Sequence, residues 1–81
     1  MSIGRWAVTK DAPLTVREEQ ILFALADGLT DSEIAAEVYL STHTVKAHMK
    51  VLFGKLGARN RTHAVALAYH QGILQPRSEA A

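Results

Sequence analysis

The sequence predicts an all-α fold of four short helices. Apolar residues recur at intervals of three and four along most of the chain, which places them on one side of a helix. A residue that favours helix caps precedes each apolar stretch, and glycine or a turn sequence follows it. Because β-branched residues are also sparse, we expect no strands. Four helices with short connections make one small domain.

The first two helices each begin with a capping-box pattern. Thr15 and Glu18 have the capping-box spacing, and Gly28 can take the left-handed conformation that ends a helix. Thr30 and Glu33 repeat the spacing, so a second helix of about two turns follows and stops at Tyr39-Leu40. The expected inner faces are Ile21, Leu22 and Leu25 in the first helix and Ile34, Ala35 and Val38 in the second.

The third helix is predicted over Thr42 to Leu56, between a Ser41 cap and Gly57. Its buried stripe is Val45, Met49, Leu52, Phe53 and Leu56. Asn60 caps a fourth helix, which Gly72 and Pro76 close. The inner face of that helix is Ala64, Leu67 and Ala68. We therefore divide the chain into an N-terminal arm (1–13), flexible or loosely docked, a helical domain (14–75) and a tail (76–81).

Composition and charge limit the class of protein. There is no cysteine, which excludes a disulfide framework and a thiolate zinc site. No run of about 18 apolar residues occurs, so we expect a soluble, cytoplasmic protein without a signal peptide or membrane span. Residues 1–37 carry three basic and seven acidic side chains, whereas residues 38–81 carry six basic and one acidic. This asymmetry indicates a polyanionic partner, unless the charges only cluster by chance on a solvated face.

The outward face of the third helix is the candidate binding surface. Only residues 39–41 separate it from the second helix, as in a helix-turn-helix unit. Its outer positions, which no acidic residue interrupts, are His43, Lys46, Ala47, Lys50 and Gly54. Such a helix fits the major groove of DNA, where lysine donates to guanine O6 and N7 and Ala47 can meet a thymine methyl. The flank of the helix, Thr44, His48, Val51 and Lys55, faces the DNA backbone or a neighbouring helix.

At these residues the chain resembles the LuxR-type helix-turn-helix domains of bacterial transcription regulators. The resemblance runs from Leu14 to Leu74 through LTxRE (14–18), AxGLTDxEIA (26–35), LSxxTVKxH (40–48), KLG (55–57) and RxxA (61–64). It implies a four-helix domain that binds double-stranded DNA in a sequence-specific manner and regulates transcription. It further implies base reading by Lys46, Ala47 and Lys50, and phosphate contacts by Thr42, Thr44, His48 and Arg61.

The chain departs from the family pattern at three positions. Val51 stands where asparagine is common, Gly54 where a long polar side chain is common, and His63 where glutamate often follows the cap. Gly54 costs about 1 kcal/mol relative to alanine inside a helix, unless close packing or close approach of DNA recovers it. The short segment before the domain leads us to expect no receiver or ligand-sensing domain in this chain.

The fourth helix is the expected dimer surface. Val65, Ala66 and Tyr69 form an apolar strip on it, and LuxR-type dimers use the same place. We expect a homodimer on DNA that is weak in solution, because a small patch seldom holds a stable dimer alone. The open alternative is that the tail, or the arm with Trp6, covers the strip.

Other functions are less well supported by the sequence. His43 and His48 are five residues apart and lack neighbouring ligands, and Glu18 and Glu19 point in different directions, so we expect no metal, cofactor or enzyme activity. The rival is a protein-interaction adaptor that binds a larger regulator or RNA polymerase through the fourth helix. An adaptor would not need a basic, acid-free surface on the third helix.

Overall fold

The computed structural model describes residues 6–9 and 12–76 of the chain. Its elements are β1 (Trp6–Val8), α1 (Val16–Ala26), α2 (Asp31–Val38), α3 (Thr42–Leu56), α4 (Arg61–His70) and β2 (Leu74–Pro76). The four helices predicted from the sequence are confirmed, and α3 has the expected bounds. Within this part of the chain, every helix is too short or too polar to cross a bilayer.

The predicted cap residues begin all four helices: Thr15, Thr30, Ser41 and Asn60. Both threonines form complete capping boxes with the glutamate three residues later. These bonds occupy amides of the first helical turn that would otherwise lack partners. At α4, His63 replaces the glutamate, and its Nδ1 accepts a hydrogen bond from the Arg59 amide at 3.2 Å. The imidazole of His63 therefore binds the backbone amide of the residue just before the Asn60 cap.

The core lies where α1, α2 and α4 pack around α3. The predicted inner faces of α1 and α2 are buried, as are Val45, Met49, Leu52 and Leu56 of α3. α4 contributes Ala64 and Ala68, whose small side chains let it lie close to its neighbours. Phe53 and Leu67 are only half-buried, contrary to expectation. Val65, also half-buried, packs against the core instead of Leu67, while Ala64 and Ala68 are fully buried as predicted.

A two-stranded sheet joins the two ends of the described chain. β1 runs antiparallel to β2, with Trp6 opposite Pro76 and Val8 opposite Leu74, and the Thr9 amide donates to the Ile73 carbonyl at 2.9 Å. The expectation of no strands is wrong here. Strands of three residues are too short for an alternating pattern, and their pairing depends on the helices that bring them together. Leu74 is 1% exposed and closes the core beneath this sheet.

Trp6 anchors β1 to the helical domain. Its indole Nε1 donates a hydrogen bond to Asp27 Oδ1 at 2.7 Å, at the C-terminal end of α1. Its ring meets Tyr69 of α4 edge to face, with 5.6 Å between ring centroids. The start of the described chain is therefore held across α1 and α4. This contact answers the question that the sequence left open for Trp6.

Glu18 is a buried charged residue that joins α1 to α3. Its side chain is nearly inaccessible, and Oε1 accepts hydrogen bonds from the Thr15 amide at 2.9 Å and from Lys55 Nζ at 2.7 Å. Burial raises the pKa of this carboxyl. The hydrogen bond and charge of Lys55, with the hydrogen bonds of Thr15, outweigh burial, so the net pKa is lower than usual. One carboxylate thus completes a helix cap and holds the last turn of α3.

We predict that Glu18→Gln lowers the free energy of unfolding at pH 7 by about 1–2 kcal/mol, because it removes the charge that faces Lys55. A lowered folded-state pKa stabilises the fold above the unfolded value of about 4.3 and loses this contribution as the pH falls through the folded value. The gap between wild type and variant should therefore close in acid. Urea unfolding of both proteins at pH 7 and pH 3 measures this difference in the free energy of unfolding. Glu37→Gln, at an exposed position, is the control. A gap of equal size at both pH values would contradict the assignment.

Candidate nucleic-acid interface

The joint between α2 and α3 fixes the direction in which α3 leaves the domain. Tyr39 takes the left-handed conformation (φ 59°, ψ 41°) and ends α2. The Leu40 amide then donates to the Ala35 carbonyl at 3.0 Å, and the Leu40 side chain packs against the core. Arg17 Nη1 donates to the Val38 carbonyl at 2.8 Å, so α1 also holds the end of α2. These contacts give the helix-turn-helix joint a defined geometry.

The outer face of α3 carries two exposed lysines. Lys46, Ala47 and Lys50 are all exposed, while Val45 and Met49 on the opposite face are buried. Within residues 6–9 and 12–76, neither lysine makes a hydrogen bond or an ion pair. Both ammonium groups are therefore available to an external anion or acceptor. The three residues that the sequence predicts as base readers lie side by side on one surface.

The starts of α3 and α4 are electrostatically unlike those of α1 and α2. α1 has Glu18 and Glu19 in its first turn, and α2 has Asp31 and Glu33. The first turns of α3 and α4 contain no acidic residue. The partial positive charge at the start of a helix is compensated by nearby carboxylates and otherwise favours an anion. The partial positive charges at the starts of α3 and α4 can therefore attract an anionic partner.

Three of the four expected phosphate-contacting residues lie on α3. Thr42 is exposed at its first position, and Thr44 and His48 are half-buried along its flank. The Ser41 hydroxyl donates to Thr44 Oγ1 at 3.0 Å and accepts from the Thr44 amide at 3.1 Å. The side chain of Thr44 is therefore oriented by the cap. This arrangement leaves the Thr44 hydroxyl proton free to point away from Ser41.

Arg61 differs from the others because its guanidinium contacts the domain itself. Nη1 donates to the Leu29 carbonyl at 3.0 Å, and Nη2 pairs with Asp31 at the start of α2. The residue is half-buried. Arg61 therefore clamps the start of α4 to the turn between α1 and α2. The guanidinium has five donors, so the clamp leaves further donors for another acceptor.

The α4 surface contains the expected dimer residues, in a partly covered state. Ala66 and Tyr69 are exposed, whereas Val65 is half-buried against the core. Beside them is an open groove of about 430 Å³, lined by Leu25, Gly28, Arg61, Thr62, Val65 and Ala66. The ring of Trp6 covers one side of Tyr69. Trp6 therefore contacts the strip at Tyr69 without hiding it, since Tyr69 remains 43% exposed.

The structure adds a surface feature of α3 that sequence analysis did not identify. A shallow depression of about 450 Å³ lies along its outer side, lined by Lys46, Met49, Lys50, Phe53, Gly54 and Ala58. The one signal in the sequence was the glycine at position 54. The part of the chain with described coordinates contains no group of three or more metal-ligating side chains.

Comparison with known proteins gives a consistent family. Residues 12–68 match the sequence profile of "Bacterial regulatory proteins, luxR family". The chain is similar to the probable transcriptional regulatory protein SgaR of Hyphomicrobium methylovorum, with 54% identity over 54 residues, which are 67% of this chain and 26% of that protein. It is also similar to the CsgBAC operon transcriptional regulatory protein of Escherichia coli, with 44% identity over 64 residues, which are 79% of this chain and 30% of that protein.

Two solved structures are similar to the fold. One is the response regulator ChrA of a heme-sensing two-component system, with a TM-score of 0.71 and 38% identity over 78% of this chain and 31% of that one. The other is the Vibrio cholerae VqmA dimer, described as a LuxR-type receptor, with a TM-score of 0.71 and 31% identity over 82% of this chain and 30% of that one. The chain spans about a quarter to a third of the length of these relatives.

The contacts of Arg61 lead to a stability prediction. Arg61→Ala should lower the free energy of unfolding by about 1 kcal/mol, because the Leu29 carbonyl and Asp31 lose a shared partner that is itself partly exposed. The double-mutant cycle with Asp31→Ala should give a coupling energy of about 0.5–1 kcal/mol. The neighbouring Arg59→Ala, at an exposed position in the turn before α4, is the matched control. Additive effects of the two clamp substitutions would show that the pair does not stabilise the domain.

Proposed function

Because the chain belongs to the luxR family of bacterial regulatory proteins, we propose that it binds double-stranded DNA in the bacterial cytoplasm and regulates transcription, with α3 in the major groove. The observation that carries the proposal is the outer face of α3. It presents two exposed lysines without protein partners among the described residues, on a helix whose opposite face is buried. A rigid, basic and acid-free helix face is suited to base edges between two phosphate strands.

Base reading is assigned to Lys46, Ala47 and Lys50. Lysine ammonium groups donate to O6 and N7 of guanine, and the methyl group of Ala47 can contact the methyl group of thymine. The three side chains occupy adjacent positions within about one helical turn, so they can meet neighbouring base pairs. The proposed site therefore combines guanine and thymine.

Phosphate contacts position α3 without reading sequence. We assign them to Thr42 and Thr44 at the uncompensated start of α3, to His48 on its flank and to Arg61. The assignment of Arg61 requires its guanidinium to contact phosphate as well as Leu29 and Asp31. If it does, Arg61→Ala makes the plot of log affinity against log salt concentration less steep, by about 1 in slope. An unchanged slope would leave Arg61 only its contacts within the domain.

The second candidate is an adaptor that binds a larger regulator or RNA polymerase through α4. The groove beside Val65 and Ala66 favours it, because an open apolar surface on a small domain can receive a partner. Titration of duplex DNA binding with salt separates the two functions. DNA binding predicts a steep decrease in affinity, whereas an adaptor that does not bind DNA predicts a slope near zero.

We further propose that two copies associate through α4 when they are bound to DNA. Ala66 and Tyr69 are the exposed part of the proposed interface, and Val65 forms a wall of the adjacent groove. A surface of this size supports only weak association in solution. Binding to two half-sites about one helical turn apart raises the local concentration of the second copy. The dimer is thus expected on paired sites.

Substitution of the base-reading lysines tests the main proposal. Lys50→Ala should weaken binding to the preferred duplex by about 1–3 kcal/mol and relax the preference at one base pair, because a direct base contact is lost. Lys46→Ala should act in the same way at another base pair. Arg59→Ala removes the same charge outside α3 and should retain the sequence preference. If Lys50→Ala weakened all duplexes equally, Lys50 would be a phosphate contact and the proposed base reading would be wrong there.

Substitution on α4 tests the dimer. Tyr69→Glu should abolish cooperative binding to paired half-sites while it leaves helical content and affinity for a single half-site nearly unchanged. Because Tyr69 also contacts Trp6, Ala66→Glu is needed as a second variant that places a charge on the strip away from that contact. Trp6→Ala is the control for loss of the ring contact alone. Cooperative binding by both glutamate variants would contradict the α4 dimer.

A further inference from the structure

Gly54 lies in the last turn of α3, two residues before the helix ends at Leu56, and its carbonyl accepts a hydrogen bond from the amide of the Gly57 cap at 3.3 Å. Gly28, Gly57 and Gly72 have positive φ angles and lie beyond helix ends, whereas Gly54 has ordinary helical geometry. Glycine in a helix interior lowers stability relative to alanine, because it loses more backbone freedom on folding. Gly54 therefore lowers the stability of α3, by up to about 1 kcal/mol, unless a contact within the domain or with a partner compensates for it.

Packing within the domain does not require the glycine. A Cβ atom built on Gly54 would have no neighbour within 4 Å in the described structure. Alanine would therefore fit without moving any described atom. Of the two explanations that the sequence left open, close packing is excluded for the described residues, and close approach of a bound partner remains.

The surroundings of Gly54 are suited to one chemical class of partner. Gly54 lies in the depression on the outer side of α3, next to the half-buried ring of Phe53, the buried Met49 and the half-buried Ala58. Lys46 and Lys50 also line this depression, so positive charge accompanies its apolar residues. A DNA strand alternates an apolar deoxyribose face with a negative phosphate. Both features therefore find a complementary surface here.

We propose that one sugar-phosphate strand of the bound duplex lies in this depression and passes directly over Gly54. This inference rests on the proposed DNA binding and adds the place where the backbone comes nearest to α3. Deoxyribose packs against Phe53 and Ala58, and the positive field of Lys46 and Lys50 draws the strand towards the helix. A side chain at position 54 would hold the strand away from the helix and weaken contacts along the whole face.

The test uses Gly54→Ala and Gly54→Leu in the full chain, with measurements of both stability and DNA affinity. Gly54→Ala should raise the melting temperature, by at most about 4–8 °C, since alanine favours the helix and its Cβ meets open space. DNA affinity should decrease in both variants, and more for leucine than for alanine. We expect a loss of tenfold or more for leucine, because its side chain would occupy the space of the strand. Ala36→Leu, at an exposed position on α2, controls for added apolar bulk and should leave affinity unchanged.

Two duplexes identify what lies over Gly54. A sugar-phosphate strand predicts the same fractional loss on the preferred duplex and on a random duplex. A loss confined to the preferred duplex would assign a base edge to this position and overturn the strand assignment. Unchanged or higher affinity of both variants would overturn it as well, and so would a lower melting temperature of Gly54→Ala. If the wild type failed to bind any duplex, the proposed function itself would be wrong, whereas the other outcomes leave that function standing.

Discussion

Burial of the inner stripe of α3 is the constraint on which the rest of the molecule depends. Val45, Met49, Leu52 and Leu56 are at most 6% exposed, and they pack against α1 and α2. Successive residues of an α-helix are separated by about 100°, so a shift of one residue would turn charged side chains into the core. Because this would cost several kcal/mol per unpaired charge, the rotation of α3 is fixed. The outward position of Lys46 and Lys50 follows directly.

Side chains from other elements then hold the helix ends. Arg17 binds the last turn of α2, Glu18 binds Lys55 in the last turn of α3, and Gln71 Nε2 donates to the Leu56 carbonyl at 3.2 Å. Helix ends fray most easily, because their backbone groups lack partners within the helix. The proposed binding surface is therefore supported at the end of α2, just before the joint, and at the C-terminal end of α3. A surface that is already held in place loses less conformational freedom when it binds a partner.

Local features were predictable from the sequence, because they depend on residues close together in the chain. The caps at Ser41 and Asn60 and the bounds of α3 follow from short-range hydrogen bonds and from the period of the apolar residues. The strands were missed because β1 and β2 are joined only through the folded helices. The packing of Val65 rather than Leu67 against the core depends on the neighbours of α4 in the same way.

The same distinction applies to the candidate site. The period of α3 was enough to place Lys46, Ala47 and Lys50 together on one outer face. It could not reveal that Arg61 clamps Leu29 and Asp31, because these residues are about 30 positions apart in sequence. Nor could it show that position 54 borders a depression, since that depends on the neighbouring side chains and on Ala58 beyond the helix end. Contacts between distant residues are the part that needed the structure.

The central claim is that the outer face of α3 reads DNA sequence. Selection of bound duplexes from a random pool tests it most directly, because the measurement requires no prior choice of site. The account predicts enrichment of a short motif that combines guanine and thymine, present as two related half-sites about one helical turn apart. Recovery of the pool without an enriched motif, despite binding, would mean that the protein contacts only phosphates and would contradict the claim.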